Sequence, residues 1–550
     1  MKKLTQLRLF TILAICFLVS SIVSAQSLES KIDKLISNQF KENETGVSVL
    51  VAKEGEVIYR KAFGKANLEL DVNMTSSNVF EVGSITKQFT SVAILMLMEE
   101  GKLSLEDNIT KFIPDYPTKG KKISVHHLLT HTSGIKSYTS MQSFGKVMTI
   151  DESPLKFIDF FKNEPMDFEP GEEYRYNNSG YFILGYIIEK VSGVSYEEFI
   201  NEKIFKKLDM NSSYYGSHTK LIKNRASGYQ KNNEYGNAQY ISLTLPYAAG
   251  SIMSNVDDML KWQTAISNNV LIKKETIAKA YKNYTLNNGE KINYGYGWSI
   301  NEISGISTIE HGGAIPGYLS MGIYVPSKNV YIIAFSNCGC QSPANVATEI
   351  AALVIDKPKF TGNNTIQLSE SQLKKWVGAY QYDNEVVRHV TIEGNQLYSQ
   401  REGSQQKFKI FPTSPNNFSF DGSFITYEFS IENGKKVVVF KNRINKTKGV
   451  FTNKQAPKEK KEITVATNIL KDYVGDYELQ PGFVLAITLQ GNKLFGQATG
   501  QPEVELFAES KTKFFLKVVQ ASIEFHKNEK GEVKALTLFQ GGRAMKGQRK

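Results

Sequence analysis

The sequence predicts an α+β core built on an antiparallel sheet, followed by two small all-β barrels. Three observations lead there. From about residue 46 to 356, strand-like and helix-like segments mix, with a strand pair at the start and more strands at the end. The composition changes near Asp356-Lys357-Pro358, and the segment Phe360–Glu370 is polar with Gly362, Asn363 and Asn364, as a linker is. The remainder reads twice: Trp376-Val377-Gly378-Ala379-Tyr380 returns as Tyr473-Val474-Gly475-Asp476-Tyr477, and Glu393-Gly394-Asn395 as Gln490-Gly491-Asn492, both 97 residues on.

In the first segment, Val47 to Ala52 and Val57 to Phe63 read as a hairpin around Glu54-Gly55. Ser84 to Glu100 reads as an amphipathic helix with Phe89, Val92, Leu95 and Met96 in register and Gly101 as its stop. Tyr181 to Val191 and Val256 to Ile266 also read as helices. Ile323–Val325 and Tyr331–Ser336 read as strands joined by Pro326-Ser327-Lys328-Asn329. Each later copy is a series of short apolar-alternating runs between Gly and Asn turns, the pattern of a small antiparallel barrel. A second linker, Lys454 to Glu462, holds Pro457 and several lysines. The expected organisation is therefore a signal peptide over 1–25, a core domain over 26–357, and barrels over 366–453 and 464–550.

Lys2, Lys3 and Arg8 precede an apolar run from Leu9 to Val23, and Val23-Ser24-Ala25 offers small residues for cleavage after Ala25. The run is shorter than the ~20 residues a spanning helix needs, and Ile15 before Cys16 is too bulky for a lipid-attachment site. The expectation is a secreted or periplasmic protein with no transmembrane helix after cleavage. The chain is basic, +11 over its full length, but no basic run interleaves with aromatics, so nucleic acid is not an expected partner. Cys338 and Cys340 fall on a predicted strand, where residues two apart sit in an extended run; their side chains are expected to diverge and a disulfide between them to be strained.

The chemistry concentrates at Ser84-Ile85-Thr86-Lys87. The S-x-x-K spacing alone recurs elsewhere, at Ser133/Lys136 among others, but only Ser84 opens a long apolar helix after Phe80-Glu81-Val82-Gly83. Residues i and i+3 share a helix face, with Cβ atoms ~5–6 Å apart, so the amine reaches the hydroxyl. Burial of that amine would lower its pKa and make it a base for the serine. Taken alone, the pair also fits a helix cap beside a solvated lysine. His127 and His131 stand four apart, but Leu128 rules out H-E-x-x-H, no third ligand is evident, and no metal is expected. No G-x-S-x-G occurs, which argues against an α/β-hydrolase elbow. No cofactor is expected.

Several motifs occur together in order: Val82-Gly83-Ser84-Ile85-Thr86-Lys87, His127-Leu128-Leu129-Thr130-His131-Thr132-Ser133-Gly134, Tyr176-Asn177-Asn178-Ser179-Gly180, Ala249-Gly250-Ser251, Tyr294-Gly295-Tyr296-Gly297-Trp298 and His311-Gly312-Gly313. In these the chain, over about residues 30 to 356, resembles the class C serine β-lactamases, D-alanyl-D-alanine carboxypeptidases and related esterases and D-aminopeptidases. The resemblance implies an all-helical lobe beside the sheet lobe with a site between them. It implies Ser84 as nucleophile, Lys87 and Tyr176 sharing the proton transfers, and Asn178 holding substrate and Lys87. It places His311 and Gly313 on the strand lining the site, with the backbone N–H of Ser84 and Ala314 as an oxyanion hole. It makes His127 and His131 structural. The C-terminal copies resemble, more weakly, lipocalin-like modules of some such hydrolases.

The sequence departs from the family pattern in two places. His311 stands where a lysine is usual, and Gly312 where threonine is, which removes a hydroxyl for a substrate carboxylate. Both favour a peptidase or esterase with looser demands on a terminal carboxylate. The expected function is an exported serine hydrolase working through an acyl-enzyme on D-amino-acid-containing peptides, cell-wall peptides among them. The alternatives are an esterase or β-lactamase of the same family, a penicillin-binding receptor that acylates without turnover, and a wall-binding protein with a dead site.

Overall fold

A computed structural model of the chain describes residues 28–550 except 364, 384, 405, 456–461, 481, 520, 541 and 542. The expected signal peptide and most of the second linker lie outside the described residues. The chain divides into two compact units, one ending at Pro358 and the other Lys359–Lys550.

In the first unit, helix α1 runs through residues 28–39. The hairpin β1 (Val47–Lys53) and β2 (Glu56–Phe63) joins β3 (Ser299–Ile303), β4 (Ile306–Ile315), β5 (Tyr318–Val325) and β6 (Val330–Ser336) in one antiparallel sheet of order β3-β4-β5-β6-β1-β2. The two ends of the domain thus meet at β1–β6, with Val47 opposite Ser336. Every residue of β6 and all but the last of β1 are buried, so both faces of these central strands are covered. This is why they are apolar rather than alternating.

Helix α2 (Thr86–Glu99) is buried from Thr86 through Leu97. The sequence reads it as amphipathic and starting at Ser84. In the fold it is enclosed on all sides and starts at Thr86, while Ser84 sits in a preceding 3₁₀ turn, Gly83–Ile85. Three partners enclose it. Helix α3 (Asn178–Ser192) packs along it. The turn Tyr247–Gly250 is pinned to it by Thr90 Oγ1 donating to Ala248 O at 2.6 Å. Helix α4 (Val256–Ser267) stacks Trp262 on Phe89 at 4.0 Å and donates from Trp262 Nε1 to Gln88 Oε1 at 3.0 Å. A helix hydrophobic all round belongs in such a core position. Helix α5 (Ala344–Val354) covers β5 and β6.

Cys338 and Cys340 correct the sequence reading. Residues two apart on a strand share a face, with Cα atoms about 6.5 Å apart; strand β6 ends at Ser336, and in the turn that follows the two Cα atoms come to 5.1 Å and the cysteines are joined by a disulfide. Buried Asn337 organises this turn, accepting from Gly46 N at 2.7 Å and donating to Ser227 O at 2.9 Å.

The second unit holds two closed eight-stranded antiparallel barrels. The first follows helix α6 (Glu370–Lys374) and contains β7 (Gly378–Tyr382), β8 (Val387–Glu393), β9 (Gln396–Arg401), β10 (Lys407–Pro412), β11 (Asn417–Phe420), β12 (Ile425–Glu432), β13 (Lys435–Asn442) and β14 (Asn445–Thr452). The second runs from Gly475–Gln480 to Arg543–Arg549. The repeated sequence block has a physical basis. In the first barrel Tyr380 donates its hydroxyl to Trp376 O at 2.7 Å and Trp376 stacks on Phe429. In the second, Tyr477 donates to Tyr473 O at 2.9 Å and Tyr473 stacks on Phe525.

Candidate active site

The site forms where the Gly83–Ile85 turn, the start of α3, the Tyr247–Gly250 turn and the edge of β4 converge on Lys87. Its Nζ lies 3.1 Å from Ser84 Oγ, 2.8 Å from Asn178 Oδ1 and 2.8 Å from Ala249 O. The side chain is fully buried, no carboxylate is among its hydrogen-bond partners, and burial holds its pKa well below the ordinary lysine value. A neutral amine has two N–H donors and one lone pair. The Asn178 and Ala249 oxygens only accept, so both donors go to them and the lone pair faces the Ser84 hydroxyl. The neutral form is thereby satisfied on every valence.

Asn178 is held in the orientation this requires. Its Nδ2 donates to Thr139 Oγ1 at 3.1 Å, which points Oδ1 at Lys87, and its backbone N–H donates to Ser137 Oγ at 3.2 Å. Asn177 caps α3, accepting from Gly180 N at 2.8 Å.

Tyr176 completes the cluster. Its hydroxyl hydrogen-bonds Ser84, and Lys87 Nζ lies 4.8 Å from its ring centroid. The ring is 38% exposed at the rim, while the hydroxyl is sunk inward, where burial pushes its pKa well above the ordinary phenol value. At rest it is a protonated phenol.

His131 holds Tyr176 from behind. Asn177 N–H donates to its Nδ1 at 3.0 Å, Arg175 N–H donates to its carbonyl at 3.1 Å, and its ring lies 4.4 Å from the Tyr176 ring. Both neighbours of Tyr176 in the chain are thus tied to one residue, which itself adopts the left-handed φ of +60°. His127 faces elsewhere: its Nδ1 accepts from Ser124 N in a capping box. The two histidines therefore do not form a metal pair, and no group of three potential ligands occurs among the described residues.

The opposite wall is β4. Strand β3 pairs only with Ile306–Glu310, leaving His311–Ile315 without a strand on that side. Gly83 and Gly313 let this edge close on the serine turn. Gly83 has φ +54°, and a Cβ there would lie 2.8 Å from Ala314 N; a Cβ on Gly313 would lie 2.0 Å from Val82 O. The backbone around Ala314 N thus packs on the residue before Ser84. His311 is buried. Its Nδ1–H donates to Gly312 O at 2.6 Å, so Nε2 accepts from the Tyr294 hydroxyl at 2.9 Å. Burial, with Lys87 nearby, lowers its pKa to about 3, and the ring is neutral.

The structure therefore brings together all of the residues singled out from sequence: Ser84, Lys87, Tyr176, Asn178, His311, Gly313 and Ala314. Sequence reasoning did not single out Ala249, Thr139, Ser137 or Tyr294 as site groups. Ala249, His131 and Tyr294 stood inside recognised motifs; Ser137 and Thr139 carried no signal.

A hydroxyl facing a neutral buried amine, with a phenol alongside and a strand edge opposite, is an arrangement that can support serine acylation. The chain belongs to the Beta-lactamase family, whose sequence model matches residues 32–354, and so to the β-lactamase and penicillin-binding class of serine hydrolases. Penicillin-binding protein 4* of Bacillus subtilis (strain 168) is 28% identical over 412 residues, 70% of this chain and 90% of that protein. PbpX, a putative penicillin-binding protein of the same organism, is 29% identical over 304 residues, 55% of this chain and 73% of its own. Among solved structures, the octameric penicillin-binding protein homologue from Pyrococcus abyssi superposes with TM-score 0.54 at 30% identity, covering 77% of this chain and 99% of that one. The D-amino acid amidase from Ochrobactrum anthropi SV3 shares the fold, with TM-score 0.52 at 22% identity over 60% of this chain and 98% of its own. Residues 459–549 match a domain of unknown function, DUF3471.

Proposed function

We propose that the protein is an exported serine hydrolase that forms an acyl-enzyme on Ser84 and cleaves amide bonds in D-amino-acid-containing peptides. The observation that carries this reading is the Lys87 amine, whose two donors are taken by carbonyl oxygens and whose lone pair is left for the Ser84 proton.

In the reaction, Lys87 Nζ takes the Ser84 proton as Oγ attacks the substrate carbonyl. The oxyanion is received by the N–H groups of Ser84 and Ala314, a contribution of roughly 3 kcal/mol for one such donor. Tyr176, protonated at rest, gives its proton to the leaving amine and regains one from the Lys87 ammonium. Water then cleaves the ester by the reverse proton path. Neutral His311 offers no positive charge to a terminal carboxylate, which favours amides and internal peptide bonds over strict carboxypeptidase action. The D-configuration is taken from the class of the relatives, the D-amino acid amidase from Ochrobactrum anthropi SV3 among the structural neighbours.

Export rests on the basic and apolar segment before Ala25 and on the Cys338–Cys340 disulfide, a bond that persists in oxidising compartments. No helix among the described residues is long and apolar enough to cross a membrane. A panel of D-amino-acid amides, D-Ala-D-Ala peptides, short esters and cephalosporins, with Ser84→Ala as the blank, tests the proposal. Turnover of the D-amides that vanishes in the blank supports it; a single stoichiometric acylation without turnover points instead to a receptor.

A further inference from the structure

The first barrel carries a polar constellation at one end that its twin lacks. Along β8, Arg388 shares the inward face of Val390 and Ile392, which pack in the barrel core; along β9, Arg401 shares that of Leu397 and Ser399. The two arginines stand directly opposite each other in register. Like charges so placed destabilise a sheet, and no carboxylate is seen to relieve them among the described residues. Glu402, next in the chain, lies on the outer face beside His389 and Lys454.

Around the arginines are hydroxyls and aromatic rings. Arg388 lies 4.6 Å over the Phe440 ring and hydrogen-bonds the Tyr427 hydroxyl, which also meets Ser399 Oγ at 2.7 Å. The buried Tyr382 hydroxyl also meets that of Tyr427. Phe408 shares the inward face of fully buried Ile410, yet is 45% exposed, so the described residues leave it in contact with solvent at this end of the barrel. The other end is closed by α6 and Trp376, whose Nε1 donates to Pro415 O.

The second barrel is an internal control. Shifted by 97 residues, the Arg388–Arg401 pair becomes Leu485–Ala498, likewise paired in register; Tyr382 becomes Leu479 and Ser399 becomes Gly496; Tyr427, shifted by 96, becomes Ile523. The same closed barrel forms without any of the five polar groups, so the fold does not require them.

We propose that this end of the first barrel binds an organic carboxylate carrying an apolar group. The two guanidinium groups take the carboxylate oxygens, and the apolar body lies on Phe408, Phe420 and Phe440.

Isothermal titration of the full chain with octanoate tests this, with octanol as the neutral counterpart. The expected result is one octanoate per chain, at least tenfold tighter than octanol, retained in Ser84→Ala and weakened at least tenfold in Arg388→Leu/Arg401→Ala, which installs the second barrel's own residues. Phe408→Ser, at an exposed position, weakens octanoate several-fold and decides the matter if the double variant does not fold. Absence of octanoate binding, equal affinity for octanol, or affinity unchanged by both variants overturns the proposal. Loss in Ser84→Ala alone would place the carboxylate in the hydrolase site instead, which also overturns it.

Discussion

Lys87 Nζ sits 3.1 Å from Ser84 Oγ in a buried pocket, with no carboxylate among its hydrogen-bond partners. Burial disfavours the charged form, so the folded protein holds the amine neutral down to a pKa well below the ordinary one. Acylation should then be constant above that pKa and fall as pH drops through it. Lys87→Met removes the base and should lower kcat/KM by about 10²–10⁴-fold. Lys87→Arg should do no better, because a guanidinium stays charged and cannot accept the proton. Pre-steady-state acylation rates across pH check both.

His126 and His311 are held neutral by burial, with pKa values lowered to about 4 and about 3. Between the unfolded value near 6.5 and those folded values, the unfolded chain binds protons that the folded chain refuses. Stability therefore falls as pH drops through that window, by about 1 kcal/mol per pH unit for each histidine. Urea midpoints for the wild type should decline from pH 6.5 to 4.5, and less steeply in His311→Gln. An identical slope in that variant would exclude His311 as a contributor. The same substitution should leave any acid limb of the rate profile in place, since that limb belongs to Lys87.

His131 acts on the reaction through Tyr176, as a positioning residue. His131→Ala removes the acceptor for Asn177 N–H and the ring that backs the phenol. Amide hydrolysis, whose leaving group needs a proton, should fall by about 10²-fold, while an activated p-nitrophenyl ester, whose leaving group does not, should be much less affected. His131→Asn keeps a side-chain acceptor and tolerates the left-handed backbone, and should restore part of the amide rate. Equal losses on both substrates would indicate a structural role alone.

Gly313→Ala places a methyl group where Val82 O already stands. The β4 edge must move off the serine turn, at a cost of about 1–3 kcal/mol in stability, and activity should be lost along with the oxyanion geometry. Gly312→Ala, where a Cβ meets nothing nearer than 3.5 Å, should fold normally. Thermal unfolding together with ester turnover separates the two.

The legible parts of this protein are those whose cause is local. Ser84 and Lys87 share one helical turn, the β1–β2 hairpin announces itself by two apolar runs around Glu54-Gly55, and the barrel repeat by its Tyr-to-backbone lock. What could not be read is set by distant chain. Lys87 looks like a first-turn surface lysine until Ala249, 162 residues away, closes over it. Thr139 aims Asn178 from a loop with no motif of its own. Cys338 and Cys340 are misread for a smaller reason: β6 stops at Ser336, and the turn that follows brings their Cα atoms closer than an extended strand would.

The central claim is that Ser84 is acylated and deacylated, and intact-mass spectrometry with peptide mapping tests it most directly. Chain quenched during turnover of a D-amino-acid ester or amide should carry one acyl group, mapped to Ser84, that disappears once substrate is exhausted and never forms in Ser84→Ala. Hydrolysis that persists in Ser84→Ala, or an acyl group mapped to any other residue, would contradict the account.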